Sequence, residues 1–308
     1  MRVILIGGSG QLGQAINKNK PDDIKLLIPN RNELDLSNEN QCYEYFSRNS
    51  ARWIINSGAF TNVDKAESNM ELALKVNAYG PASIAKAISD NGGKFLQIST
   101  DYVFNGNQNV PYKTNQKPSP KNAYGISKSE GEKLLLEKLN KVNQLSILRT
   151  SWLMGPVGIN FAVNMLKLLC EKEKVNVVYD QISSPTTTFT LSQAVWKLIE
   201  TNEKYTLNNQ VFPKINHFAD DGIASWYDVT EALLEIGIKI GLIKNKIKIT
   251  PISSDQYPTP AKRPSYSVLD TYATKKILSL NGIHWRNSLL NAFKNFIDMK
   301  SKKTTKNG

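Results

Sequence analysis

The feature that most constrains this chain is a glycine cluster set directly after its first hydrophobic run. Four apolar residues, Val3 to Ile6, lead into Gly7-Gly8-Ser9-Gly10-Gln11-Leu12-Gly13, and a helical pattern opens inside the cluster. A strand that turns through glycines into a helix suits a phosphate. Glycine takes positive φ, leaves backbone N–H groups unobstructed and lets helix and strand pack closely, while the helix N-terminus favours anions. The cluster reads equally as G-x-G-x-x-G on Gly8, Gly10 and Gly13 or as G-x-x-G-x-x-G on Gly7, Gly10 and Gly13, and the pattern does not choose. A glycine-rich turn without a ligand is the plain alternative, and the position after the first strand argues against it.

Short β-branched runs at 2–6, 25–28, 53–56, 94–99, 145–149 and 215–218 alternate with helical spacing at 11–19, 41–48, 70–91, 128–138 and 160–173, with Ser68 and Asn69 as caps for the 70–91 helix. Strands separated by helices imply right-handed crossovers and a parallel sheet. The expected fold is α/β, a doubly wound parallel sheet of Rossmann type with a smaller C-terminal substrate domain. The 308 residues suffice for both. We place a dinucleotide-binding domain at 1–150 and a substrate-binding domain at 151–308, where the alternation loosens into Pro- and Ser-rich stretches. Residues 215–218 are expected to return a strand to the first sheet.

The net charge is +12, and Lys300, Lys302, Lys303 and Lys306 supply part of it from a segment, 300–308, that reads as a basic flexible tail. No basic run is interleaved with aromatics, so nucleic acid is not an expected partner, whereas a phosphate-bearing ligand is compatible with the charge. Two cysteines (Cys42, Cys170) and two histidines (His217, His284) fit neither a disulfide framework nor a metal-ligand spacing. The apolar start is too short for a signal-peptide core, and no run approaches a membrane span. A cytoplasmic chain without metal or membrane is expected.

An NAD site usually places a carboxylate at the end of the second strand for the ribose hydroxyls, whereas the extra phosphate of NADP needs a cation. Here 25–28 is followed by Pro29-Asn30-Arg31. The carboxylate is missing and a guanidinium stands beside the gap, so NADPH is expected over NADH, with NADH still possible. An ordinary exposed loop arginine is the alternative.

The strand at 94–99 runs into Thr100-Asp101-Tyr102, and Tyr124 and Lys128 follow four residues apart, on one face of a helix. A tyrosine is a poor acid near neutral pH unless its phenolate is stabilised, and a neighbouring ammonium does that. Lys128 can also hold a cofactor ribose, and Thr100 can orient a substrate carbonyl for hydride attack. Y-x-x-x-K alone is weak. Joined to the glycine loop it is the pattern of a short-chain dehydrogenase/reductase.

Several runs resemble one family closely. Gly10-Gln11-Leu12-Gly13, Ala59-Phe60-Thr61-Asn62-Val63-Asp64-Lys65-Ala66-Glu67, Ser99-Thr100-Asp101-Tyr102-Val103-Phe104, Tyr124-Gly125-Ile126-Ser127-Lys128 and Arg149-Thr150-Ser151-Trp152 are similar to dTDP-4-dehydrorhamnose reductases. The likeness continues through Asn160-Phe161, 180–186 and 257–264, so it covers nearly the whole chain.

The resemblance implies an NADPH-dependent reductase of the 4-keto group of dTDP-6-deoxy-L-lyxo-4-hexulose, forming dTDP-L-rhamnose for polysaccharide. It implies Thr100, Tyr124 and Lys128 as catalytic, Asp101 and Trp152 at the sugar nucleotide, and Tyr102 by the nicotinamide. It also places Gly7, Gly10, Gln11, Leu12 and Gly13 at the cofactor phosphates, Asp35 and Leu36 on the adenine side, and Ala59 and Thr61 along the cofactor. Arg263, beside Lys262, is a physical candidate for the substrate pyrophosphate because a guanidinium fork suits it; a structural arginine is the alternative. Some members dimerise around magnesium held by glutamates; those places hold Ala15 and Phe189 here, so a monomer or weak homodimer without metal is expected. Met154 departs from an aromatic in relatives. Another nucleotide-sugar reductase or epimerase, or a regulatory subunit of methionine adenosyltransferase, are the alternatives within the same fold.

Overall fold

The computed structural model describes residues 1–245 and 247–294; the expected tail at 300–308 lies outside the described residues. The first half runs β1 (Arg2–Ile6), α1 (Gln11–Lys18), β2 (Lys25–Leu27), α2 (Glu39–Arg48), β3 (Trp53–Asn56), α3 (Val63–Ser68), α4 (Met70–Leu74), α5 (Gly80–Asn91), β4 (Lys94–Thr100), α6 (Ala123–Lys138) and β5 (Leu145–Thr150). The second runs β6 (Leu153–Met154), α7 (Phe161–Glu171), β7 (Lys174–Val178), β8 (Ile182–Ser183), β9 (Thr186–Thr187), α8 (Thr188–Leu207), β10 (Ile215–His217), β11 (Ala224–Ser225), α9 (Trp226–Lys239), β12 (Lys248–Ile252), α10 (Tyr272–Ile277) and α11 (Trp285–Phe293).

A six-stranded parallel sheet, in the order β10-β5-β4-β3-β1-β2, forms the centre. Its strands are apolar on both faces because both are covered. Val3 and Leu5 point to the layer of α1 and α8, where Leu12, Ile16, Leu191, Val195 and Leu198 meet them. Ile4 and Ile6 point to the layer of α2, α5 and α6, against Phe46, Ile84, Ile88 and Leu135. The strand order reverses between β1 and β3, and the crevice outside the strands' carboxyl ends at such a point is where α/β sheets bind ligands.

The chain crosses the expected division at residue 150. It leaves the sheet after β5, then α8 returns to cover the sheet's α1 face and β10 pairs in parallel with β5. The second half has its own core, built from Met165, Leu169, Val229, Leu233, Trp285 and Leu289. At 20 residues α8 was legible but not read: Leu191, Ala194, Val195, Leu198, Ile199 and Asn202 are its buried stripe at helical spacing. Threonines at its start hid it, yet Thr187 is its N-cap, accepting from the Thr190 N–H.

The single helix expected at 70–91 is instead α4, a π-helical turn at Lys75–Tyr79, and α5. Ser68 belongs to α3, and Asn69 sits at the N-cap of α4 without a side-chain cap bond. The extra residue in the π turn has a use. Asn77 is swung towards the loop after β3, where it accepts from the Phe60 N–H at 2.8 Å, donates to the Phe60 carbonyl at 3.1 Å, and donates to Ser127 of α6 at 2.9 Å.

Candidate active site

A cavity of about 760 Å³ opens at the carboxyl ends of β1, β3, β4 and β5 and extends under α7 and α9. It brings together Gly7, Gly10, Gln11, Leu12, Ala59, Thr61, Thr100, Asp101, Tyr102, Tyr124, Lys128, Trp152 and Arg263 from the sequence reading. Gly13, Leu36, Arg31 and Asp35 lie outside its lining. Gly13 is packed beneath the loop, Leu36 is buried beside Gly58, and Arg31 and Asp35 line a separate surface concavity beyond β2.

The structure chooses between the two glycine patterns. Gly7 has φ +77°, and a Cβ there would stand 2.6 Å from the Gly58 nitrogen, so the loops after β1 and β3 touch backbone to backbone. A Cβ on Gly13 would be 2.2 Å from the Gly7 carbonyl, whereas Gly8 faces the Ile28 side chain. The set is therefore Gly7, Gly10 and Gly13. A dinucleotide fits this lining on two observations: the bare loop backbone, and the buried Thr150 hydroxyl, whose residue lines the cavity and which has no hydrogen-bond partner among the described residues.

Arg31 extends into solvent, its side chain 81% exposed, with Nε 3.8 Å from Asp35. Burial works against ionisation of Asp35, but the Ser37 backbone and hydroxyl outweigh it and the carboxyl stays below its usual range.

Tyr124 and Lys128 occupy one face of α6, which begins at Ala123 and not, as read, at 128. Two side chains set this start. Asn122 caps it by accepting from the Gly125 N–H at 2.8 Å, and Glu67 accepts from the Ala123 N–H at 2.8 Å. Two orphan donors of the helix end are thus satisfied next to Tyr124.

Lys128 donates to the Ile98 carbonyl at 2.7 Å, and burial brings its ammonium down to about 8 against the pull of Glu132 one turn further on. Burial raises Tyr124 to about 12; the Thr100 hydroxyl pulls the other way and Asp101 adds to the rise. Tyr102 packs edge-on against Tyr124 at 5.9 Å.

Asp101 lies beneath, only 2% exposed, with hydroxyls of Ser267, Thr100 and Ser183 donating to it. Burial still pushes its carboxyl up to about 6. Behind the site Arg149 grips Glu132 with two nitrogens, at 3.0 and 2.6 Å, and Ser99 donates to the same carboxylate. His217 stands 3.3 Å from Arg149 on the other side.

Arg263 reaches the cavity with its charge already answered. It forks onto Asp64 of α3 at 3.1 and 2.7 Å and donates to Thr259 at 2.6 Å, and it holds the Asp64 carboxyl below its usual range. Lys262 is exposed, while its carbonyl accepts from Asn122. The Pro-bounded loop is thereby pinned to α3 and to the cap of α6.

The RmlD substrate binding domain model matches residues 1–297. A dTDP-4-dehydrorhamnose reductase of Aggregatibacter actinomycetemcomitans is 34% identical over 292 residues, 94% of this chain and 97% of that protein. The chain belongs to the dTDP-4-dehydrorhamnose reductase family. The solved family structure from Clostridium acetobutylicum superposes with a TM-score of 0.85 at 33% identity, covering 98% of this chain and 100% of its own. One from Bacillus anthracis, in complex with NADP, has a TM-score of 0.85 at 32% identity, covering 95% of this chain and 98% of its own.

Sequence reasoning missed several of this family member's cavity residues. Trp226, Phe161, Asn160 and Thr150 line it alongside Met154, which is 1% exposed and part of the second core. Thr150, Asn160 and Phe161 stand in runs that resemble the family, but the sequence assigns them no role. Asn160 caps α7 through Val163 N–H and donates to Gly155 and Gln11. Trp226 carries no local signal, since only tertiary packing brings α9 over Trp152.

Proposed function

We propose that this chain reduces the 4-keto group of dTDP-6-deoxy-L-lyxo-4-hexulose with NADPH, giving dTDP-L-rhamnose. The observation that carries the reading is a single cavity joining a bare glycine loop to Thr100, Tyr124 and Lys128 in a member of this family. The B. anthracis relative bound to NADP supports the same cofactor here. Gly7, Gly10, Gln11, Leu12 and Gly13 would hold the pyrophosphate, Ala59 and Thr61 the middle of the dinucleotide, and Lys128 a ribose. Asp35, Leu36 and Arg31 would meet the adenosine end, with Arg31 at the extra phosphate.

Bound NADPH supplies the hydride. The residues do the rest: Thr100 orients the carbonyl oxygen, Tyr124 donates its phenolic proton to the oxygen as charge develops there, and Lys128 stabilises the phenolate left behind. Tyr102 walls the nicotinamide side and Asp101 and Trp152 the sugar. Arg263, pre-set by Asp64, faces the substrate pyrophosphate.

Residues 1–150, with α8 and β10, would serve the cofactor, and the rest of 151–308 the sugar nucleotide. Ala15 and Phe189 offer no oxygen ligand, so a monomer or weak homodimer without metal fits this chain. The reading places it in the cytoplasm, where two cysteines far apart in sequence suit a reducing compartment.

The test follows NADPH absorbance with the purified chain and the 4-ketosugar generated in place, with Tyr124→Phe as control. Substrate-dependent oxidation abolished by the variant establishes reaction and acid together. NADPH binding without oxidation would sink this reading in favour of another nucleotide sugar or a regulatory subunit.

A further inference from the structure

The cavity's substrate side ends in three rings from three elements. Trp152 follows β5, Phe161 opens α7 and Trp226 opens α9. The Trp152 and Trp226 indoles lie 3.5 Å apart, centre to centre, and 7° from parallel; Phe161 is centred 4.4 Å from Trp226 and tilted 43°. Two rings at these distances cannot share one face of an indole, so Trp226 is held between them. A centre separation no larger than the ring spacing leaves no lateral offset, an arrangement free aromatic pairs avoid.

The scaffold therefore imposes the stack, and its fixings are visible. Ser225 and Asp228 form a capping box that sets the first turn of α9, and the Trp226 N–H donates to Gln181 at 3.1 Å. Gln181 in turn donates to Ser254, which Asp180 holds. The other member of the pair, Trp152, has φ +42°, in the left-handed region a residue with a Cβ enters at a cost. Trp226 covers one face of the Trp152 indole, and Trp152 lines the cavity.

We propose that Trp226 is a substrate-positioning residue that acts through Trp152, backing the indole face on which the apolar C–H face of the 6-deoxyhexulose rests. This inference depends on the reductase reading above. A ring stacked on indole is held by its flat face, so a small displacement of Trp152 would loosen the sugar and leave the cofactor, bound on the far side, unaffected.

The test compares wild type with Trp226→Phe, Trp226→Leu and Trp226→Ala in the NADPH assay, measuring KM for each ligand and thermal midpoint. The circular-dichroism couplet of the paired indoles is recorded as a check on the stack. We expect all three to lose the couplet, and Trp226→Ala and Trp226→Leu to raise the sugar-nucleotide KM by about 10-fold with the NADPH KM unchanged. Trp226→Phe, which keeps a flat ring, should restore the sugar KM to within about twofold. Unchanged KM in Trp226→Leu, or equal rises in both KM values, overturns the proposal, and Trp226→Leu answers it if Trp226→Ala does not fold. A wild type without ketosugar-dependent oxidation sinks the reductase reading; an active wild type with indifferent variants sinks only the role of Trp226.

Discussion

The Lys128 ammonium sits 2.7 Å from the carbonyl oxygen of Ile98, two residues before Thr100 on the same strand. One bond thus ties the helix that carries Tyr124 to the strand that ends in Thr100. Shifting either element moves both halves of the site together.

Lys128→Met should lower kcat by about a hundredfold or more, since in the proposed mechanism the ammonium stabilises the phenolate. The same variant should be no less stable than wild type, because it removes a charge whose desolvation the fold had to bear. Initial rates and a urea titration on one preparation check both signs. With the ammonium brought down to about 8, wild-type activity should fall as pH rises through about 8, which a pH–rate profile checks. Between about 8 and its ordinary value of 10.5 the folded chain carries fewer protons on Lys128 than the unfolded chain, so its contribution to stability rises with pH there.

Arg31→Ala should raise the NADPH KM by about 10-fold and leave the NADH KM unchanged, because the proposed charged hydrogen bond to the extra phosphate would be lost. Parallel kinetics with the two cofactors decide it. Equal losses with both would assign Arg31 to the loop.

Glu132→Gln should destabilise the chain by about 3–5 kcal/mol, because it strands a buried guanidinium. Arg149 and Glu132 are 1% and 3% exposed, so solvent cannot substitute for the lost partner. Pairing Glu132→Gln with Arg149→Met should recover most of the loss. Denaturant midpoints of the three chains are the measurement.

His217 is fully buried, and burial, with Arg149 adding to it, brings its imidazole down to about 3. Below about 6.5 the unfolded chain gains a proton that the folded chain refuses, so stability falls as the solution is acidified, by about 2 kcal/mol at pH 5. Asp101, raised to about 6 by burial, runs the other way, its contribution to stability declining as pH rises from 3.8 to 6. His217→Gln leaves Asp101 in place, so the difference between the two chains' unfolding free energies at pH 5 and pH 7 isolates the histidine.

Where chemistry is local in the chain it was readable without a structure. The glycine turn obeys a rule of adjacent residues, strand to turn to helix, and Tyr124 and Lys128 share a face because a helix repeats every 3.6 residues. Choosing Gly7 over Gly8 needed the loop after β3, since the backbone at Gly58 is what a Cβ would strike. The motif around Val63 was recognisable as a string, but its roles were not. Asp64 answers Arg263, 199 residues away, and Glu67 steadies Ala123, 56 residues away, and no pattern in neighbouring residues encodes either meeting.

The division of the second half was hidden for the same reason. Its short strands and proline-bounded loops carry little periodicity, and α8 belongs to the first sheet only because its apolar stripe finds α1 there. Sequence alone therefore determined the fold class, through the alternation of strands and helices along the chain, and it determined the glycine turn and the shared face of Tyr124 and Lys128, which follow from backbone geometry over a few residues. The Arg263–Asp64 fork, the Glu132–Arg149 pair behind the site and the Trp152–Trp226 wall were decided by packing between distant segments, where partners are chosen by burial and charge compensation.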